Sequence, residues 1–389
     1  MNRILKISML PGTLLIIVAT TLFLKVGIGG ARAASSQTCG AWSTEFSPNP
    51  STTINEFYGV AANSANDVWA VGYYKSNSTF AELTLIEHWN GSSWSISSSP
   101  NTGHGSRLRG VVASSATNAW AVGTYLDSSD VSQALIEQWN GTSWNIVANP
   151  APSWSSELYG VTAFSANNVW AVGDYTSGSG IYQTLVEHWD GTSWSVVPSP
   201  NPSADGDSLR SVARVKGTNQ VWAVGVEYTR GTQQTLIERW AGTSWKVIAS
   251  PNPGSEYYEL WGVSAISASD IWAVGNYDST NGQLIEHWNG TSWSVVSSPN
   301  VPGSLFAVTA LSANNIWAVG YDVNSSETLT EQWNGTSWSV VSSANKGAHS
   351  NYLFGVSGIS RTGGVWAVGN YTLKNSSNDP DRSLTEFYC

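Results

Sequence analysis

Seven side chains in this sequence carry π-faces or guanidinium groups at nearly even spacing: Tyr58, Arg109, Tyr159, Arg210, Trp261, Phe306 and Phe354. Brought together, such rings can stack on a sugar, and the two guanidinium groups can hold a carboxylate or hydroxyls. The same side chains could instead plug a channel or pack against one another, because small closed sheets commonly fill their interiors. Trp154, Tyr257, Tyr258 and His104 would extend a recognition surface of this kind. The chemistry these residues offer is binding.

No set of residues offers catalysis as clearly. His88, His188 and His287 occupy one recurring position, while His104 and His349 stand elsewhere, and none shows metal-ligand spacing. Glu87, Glu137, Glu187, Glu238, Glu286, Glu331 and Glu386 also recur at one position. Seven equivalent carboxylates read as a structural hydrogen-bonding device, not as an acid–base pair. Asp205-Gly-Asp207 and Asp379-Pro-Asp381 supply only part of a calcium ligand set. The expectation is a protein without catalytic residues, metal or cofactor.

What must position the seven side chains is a repeat. Trp-Ala-Val-Gly begins at Trp69, Trp120, Trp170, Trp222, Trp272, Trp317 and Trp366, at intervals of 51, 50, 52, 50, 45 and 49 residues. Within the copy Leu158 to Pro200, four short runs rich in β-branched and aromatic residues are separated by Gly, Asn, Ser and Pro. These are strands a (Leu158–Ala163), b (Val169–Gly173), c (Thr184–Trp189) and d (Trp194–Val197), with Ser165-Ala-Asn-Asn168 linking a to b. Asn-Gly or Asp-Gly joins c to d in most copies, a hairpin signal because both residues tolerate positive φ. Asn140-Gly-Thr142 also matches a glycosylation sequon, but Asp190-Gly191 keeps the turn where the sequon is lost, so the turn reading is preferred.

Four antiparallel strands repeated about a ring make a β-propeller. The fold expected is all-β: seven four-stranded blades over residues 34–389, with the N-terminal strand closing the last blade. The last copy ends at Cys389 after strand c, and Gly40-Ala-Trp42 resembles the start of a d strand. That register would bring Cys39 beside Cys389, where an oxidising compartment would join them as a disulfide. Most Trp residues recur on strands b, c and d, and that repetition favours packing between blades over sugar stacking.

Residues 1–33 read as a secretory signal peptide: Arg3 and Lys6, the apolar run Thr13 to Leu24, then Ala31-Arg32-Ala33. The apolar run is shorter than the roughly 20 residues of a spanning helix. Cleavage would leave 13 basic and 27 acidic residues, a net charge of −14, poorly suited to nucleic acid or anionic membranes. A secreted monomer is expected, with no membrane insertion after cleavage.

The a-to-d pattern with Gly ending strand b and Trp opening strand d resembles kelch-type propeller repeats and the Trp-Ala-Val-Gly-repeat secreted proteins of bacteria. A kelch b strand usually ends in two glycines, whereas here variable residues follow, as in Gly72-Tyr73 and Gly173-Asp174. The resemblance implies a propeller and, for many kelch proteins, protein–protein scaffolding. Two enzymatic kinds of propeller lack counterparts here. The cysteines are committed to closure rather than to a copper-site Cys–Tyr link, and the Asp of a sialidase-like box is absent. The loops between b and c and between d and a vary most, and variable loops on a rigid scaffold usually carry binding residues. The expected function is glycan or cell-surface polymer binding through that face, with an extracellular protein partner as the first alternative and a glycan-processing site at the channel mouth as the second.

Overall fold

The computed structural model describes residues 40–150, 152, 154–252, 257–277, 282–359, 362–373 and 380–389. They form seven four-stranded antiparallel sheets, and among them no helix is long and apolar enough to cross a membrane. In blade 3 the strands run Ser155–Ser165, Asn168–Thr176, Tyr182–Trp189 and Trp194–Val196, in the order a-b-c-d from the channel outward. Strands a and b are longer than the sequence suggests. The polar link between them shrinks to the two residues 166–167, because Ser165 and Asn168 pair across it.

The c–d hairpin forms where expected, but not with two left-handed residues. Only the glycine takes positive φ, as at Gly91 (97°), Gly141 (96°) and Gly191 (100°). The preceding side chain does different work: Asn90 Oδ1 accepts from the backbone N–H groups of Ser92 (3.0 Å) and Ser93 (3.1 Å). Asp190 does the same for Thr192 and Ser193. The turn is a four-residue loop capped by its own first side chain.

Tryptophan joins blade to blade. Trp69 of blade 1 lies 5.0 Å from Trp139 and 5.1 Å from Trp144 of blade 2, ring centroid to ring centroid. Trp120 meets Trp189 and Trp194 of blade 3 in the same way, and Trp170, Trp222 and Trp272 repeat the contact with the blades that follow. The seam does not stop at the chain ends. Trp317 meets Trp42 and Tyr388 of blade 7, and Trp366 of blade 7 meets Trp89 and Trp94 of blade 1. Each b-strand Trp is nearly or fully buried, so every seam removes a large apolar area from water. His88, His188 and His287 stack at 4.2–4.3 Å on the b-strand Trp of their own blades, with Nε2 bonded to Asp67, Asn168 and Asp270 respectively. They are struts, not ligands.

Ring closure takes the expected route. Strand Trp42–Glu45 pairs with Asp381–Tyr388, Trp42 opposite Tyr388 and Glu45 opposite Thr385, as the outermost strand of blade 7. Cys39 lies outside the described residues, and so does Asp379.

The recurring glutamates are fully buried at the blade interfaces. A serine just after one blade's d strand bonds the glutamate of the next blade: Ser47 to Glu87 (3.0 Å), Ser99 to Glu137 (2.8 Å), Ser250 to Glu286 (2.8 Å), and likewise Ser199 to Glu238 and Ser343 to Glu386. Two residues on, an asparagine ties the same segment to its own blade: Asn101 Oδ1 accepts from Thr84 N–H at 2.8 Å, and Asn201, Asn252 and Asn345 repeat the bond. At these joints Ser-Pro-Asn, or Ser343-Ala-Asn345, is a double latch. In blade 2 Asn149 takes the serine's place and donates to Ala134 C=O instead.

Burial penalises the charged form, so the carboxyls of Glu87, Glu137, Glu187, Glu238 and Glu286 are pushed up to about 8, and those of Glu331 and Glu386 to about 7. Unfolded, these groups titrate near 4.5. The folded state thus holds protons that the unfolded state has lost between these values. Their contribution to stability is complete below about pH 4.5, falls as pH rises, and is gone above about pH 8. Calorimetric melting temperatures are expected to be highest in mildly acidic buffer and to fall toward pH 9, and Glu137→Gln should flatten part of that slope. A melting temperature that rises steadily from pH 5 to pH 9 would contradict this.

Candidate functional site

Each innermost strand carries one residue more than its partner can pair. In blade 3, Leu158 pairs with Gly173 and Gly160 with Val172, leaving Tyr159 as a bulge. The same shift isolates Tyr58, Arg109, Arg210, Trp261, Phe306 and Phe354. A bulge re-aims the side chain of its extra residue. All seven candidate residues sit on bulges, and all seven line the central channel.

The glycine of Trp-Ala-Val-Gly makes the bulge possible. A Cβ at Gly173 would stand 1.9 Å from the carbonyl oxygen of Glu157, and the matching distance is 1.8–2.0 Å at Gly72, Gly123, Gly225, Gly275, Gly320 and Gly369. Only a residue without a side chain admits the carbonyl that the bulge swings toward strand b. A second small residue follows the bulge. Cβ atoms at Gly59, Gly110 and Gly355 would come within 2.7–2.9 Å of a carbonyl oxygen in the neighbouring blade, so the inner strands meet almost backbone to backbone.

The bulged side chains lie along the wall. Going round, the Arg109 guanidinium is 4.4 Å above the Tyr58 ring, and Tyr58 is 5.4 Å from Phe354. Phe354 is 5.3 Å from Phe306, Phe306 is 6.2 Å from Trp261, and Arg210 bridges Trp261 (5.2 Å) and Tyr159 (4.6 Å). Among the described residues no ring or cation contact crosses the channel. With the small residues and valines behind them, the seven partly exposed side chains enclose a cavity of about 510 Å³. The side chains pack against one another along the wall and leave a cavity between them.

The two arginines are not equivalent. Arg210 is 13% exposed, with Nε 3.3 Å from Glu259, a terminal nitrogen 3.6 Å from Asp174, and another donating to the Tyr228 hydroxyl at 3.1 Å. Burial raises the Asp174 carboxyl to about 6, against the lowering effect of Ser208 and Arg210. Burial also raises Glu259 and Glu56, the latter accepting from the Tyr58 hydroxyl at 2.7 Å. Arg107, two residues before Arg109, forms a two-pronged ion pair with Glu82. Arg109 has no carboxylate within 4.0 Å among the described residues, and its Nε is buried without an acceptor.

Outside the belt, Trp154 (63% exposed) and Tyr257 (42% exposed) stand on the loop face as expected, and His104 there pairs with Asp130 at 2.7 Å. Tyr258 does not join them; it is buried and stacked on Tyr277. Asp207 is buried too, holding the Ser203 N–H at 3.1 Å, and among the described residues no three His, Cys, Asp or Glu side chains converge. Sequence reasoning missed the bulges and the counter-ions Asp174 and Glu259. A glycine set to receive a carbonyl from strand a was the available signal.

No family model matches this chain, and no curated protein matches its sequence. Solved structures share its fold. YCF48 from Cyanidioschyzon merolae is 15% identical, with 90% of this chain and 99% of that chain covered and a TM-score of 0.55. A structure titled YCF48 bound to D1 peptide is 12% identical, covering 90% of this chain and 96% of that chain with a TM-score of 0.51. The class these findings define is a seven-bladed β-propeller.

Gly173→Ala should cost about 1–3 kcal/mol or more in urea unfolding, since the carbonyl it strikes is backbone and cannot swing aside. Arg210→Met should cost about 3–5 kcal/mol at pH 8 by stranding the buried Asp174 carboxylate and the half-buried Glu259 carboxylate. Part of that loss should be recovered at pH 5, where Asp174, raised to about 6, takes up a proton. Arg109→Met should cost much less at either pH.

Proposed function

We propose that this chain is a secreted, non-enzymatic binding propeller that takes a peptide segment of a partner protein into the mouth of its channel. The observation that carries the reading is the belt itself. Seven bulged side chains are held against the wall by their neighbours and leave about 510 Å³ open between them. A cavity built from apolar walls with a few polar groups suits a ligand. The ring faces are largely used up: Tyr58 has Tyr73 stacked on it at 6.0 Å and Arg109 over it at 4.4 Å. A sugar needs an open face to stack on, whereas a peptide side chain can enter between ring edges. A propeller of the same fold has also been solved with a peptide bound.

Export through residues 1–33, a Cys39–Cys389 bridge and a monomeric state belong to the same proposal, supported by the sequence pattern described above. Glycan binding is the second reading. What favours it is the loop face outside the belt, where Trp154, Tyr182 and Tyr257 are 63%, 49% and 42% exposed.

Peptide-array and glycan-array binding by the same preparation separates the two. Defined peptide binders that weaken about ten-fold or more in Phe306→Ala or Trp261→Ala, with folding intact by circular dichroism, support the first reading. Glycan binding lost in Trp154→Ala and kept in the belt variants would replace it with the second. Turnover of a glycoside would overturn both.

A further inference from the structure

We propose that Arg109 reads a carboxylate carried by the bound peptide. This rests on the peptide reading above and goes further, by naming the group recognised and the side chain that recognises it.

Arg109 and Arg210 occupy the same place in two blades of the ring. Arg210 draws its acceptors from fixed positions: Asp174 follows the b-strand glycine of the preceding blade, Glu259 sits two residues before the next blade's bulge, and Tyr228 lies at the end of its own b strand. At Arg109 the first position is Tyr73, which offers a ring in place of a carboxylate, and the third is Leu126, which offers nothing. The second is Glu157, but that carboxylate accepts from the Tyr159 hydroxyl at 3.1 Å and lies beyond ion-pair reach of Arg109. Arg107, the nearest other cation, already has Glu82. The belt therefore holds one guanidinium paired with carboxylates and one with no carboxylate within 4.0 Å among the described residues, Glu56 acting on it only from beyond that reach.

Position adds to chemistry. Arg109 lines the central cavity and also a side pocket of about 200 Å³ that includes Ser106, Thr124, Ser132 and Glu157. The Tyr58 ring fixes the plane of the guanidinium from one side. Arg109 is half-buried with its Nε lacking an acceptor, and a carboxylate accepting two parallel N–H bonds is the best match for the planar fork. The net charge, −10 for the whole sequence and −14 without residues 1–33, repels anions at long range, so the attraction for such a ligand would have to come from this contact.

The full chain is immobilised and exposed to three pools of acetylated pentapeptides whose remaining positions are random among uncharged residues. One has a central Glu and an amidated end, one a central Gln and an amidated end, and one a central Gln and a free terminal carboxylate. One carboxylate pool should be retained about ten-fold more than the neutral pool at low salt, and which one tells whether a side chain or a chain end is read. In Arg109→Gln the preference should shrink below about two-fold, and Arg109→Lys, which keeps the charge but loses the fork, should fall between. If Arg109→Gln does not fold, the wild-type pools and Arg109→Lys decide the matter. Equal retention of all pools, or a preference undiminished in Arg109→Gln, overturns the assignment to Arg109 and leaves the peptide reading standing. Retention of no pool overturns both. Retention of glucuronate over glucose without any peptide moves the site to an acidic sugar and overturns the proposal as well.

Discussion

Everything about the channel depends on the approach of one carbonyl oxygen to one α-carbon. In each blade the inner strand bulges, its carbonyl turns into strand b, and the oxygen arrives where a Cβ would otherwise stand, at 1.8–2.0 Å. Glycine there is a matter of room, not of backbone angle. With it, the extra residue of the bulge faces the axis; without it, strand a would have to straighten and turn that residue away. The repeated tetrapeptide is thus tied to the unrepeated side chain that lies across from it.

That coupling separates scaffold from site. Tryptophan seams, buried glutamates and Ser-Pro-Asn latches recur because every blade meets its neighbour in the same geometry, and the seam runs unbroken through the joint between the chain ends. The bulged position is bound by no such requirement. Its side chain lies on the channel wall in front of the blade packing, so aromatic residues and arginines can occupy it without disturbing the packing behind. Sevenfold architecture repeats the scaffold, and one channel-facing residue per blade varies.

Charge is arranged with equal economy. Carboxyls at the blade interfaces are sealed from water, and burial raises them in favour of the protonated, hydrogen-bonding form. Around the mouth, Arg210 and Arg107 are matched by carboxylates, and Arg109 is not. The asymmetry arises from single replacements at equivalent positions, such as Tyr73 where blade 3 has Asp174.

The sequence alone determined the blade number, the strand order within a blade and the closure of the ring, because these follow from local signals repeated seven times: the spacing of Trp-Ala-Val-Gly, the glycine turns, and a d-like strand at Trp42. It also singled out the seven belt residues, since a position that is always large yet never constant stands out in a repeat. It did not determine that they sit on bulges, that they brace each other along the wall, or that Tyr258 is buried while Tyr257 is exposed. Those outcomes depend on the distance between strands and on which blade stands next to which, and only the closed ring fixes either. The unequal fate of the two arginines has the same origin: the acceptors of Arg210 come from three different blades, brought within reach only by the circle, and the matching positions around Arg109 hold other residues.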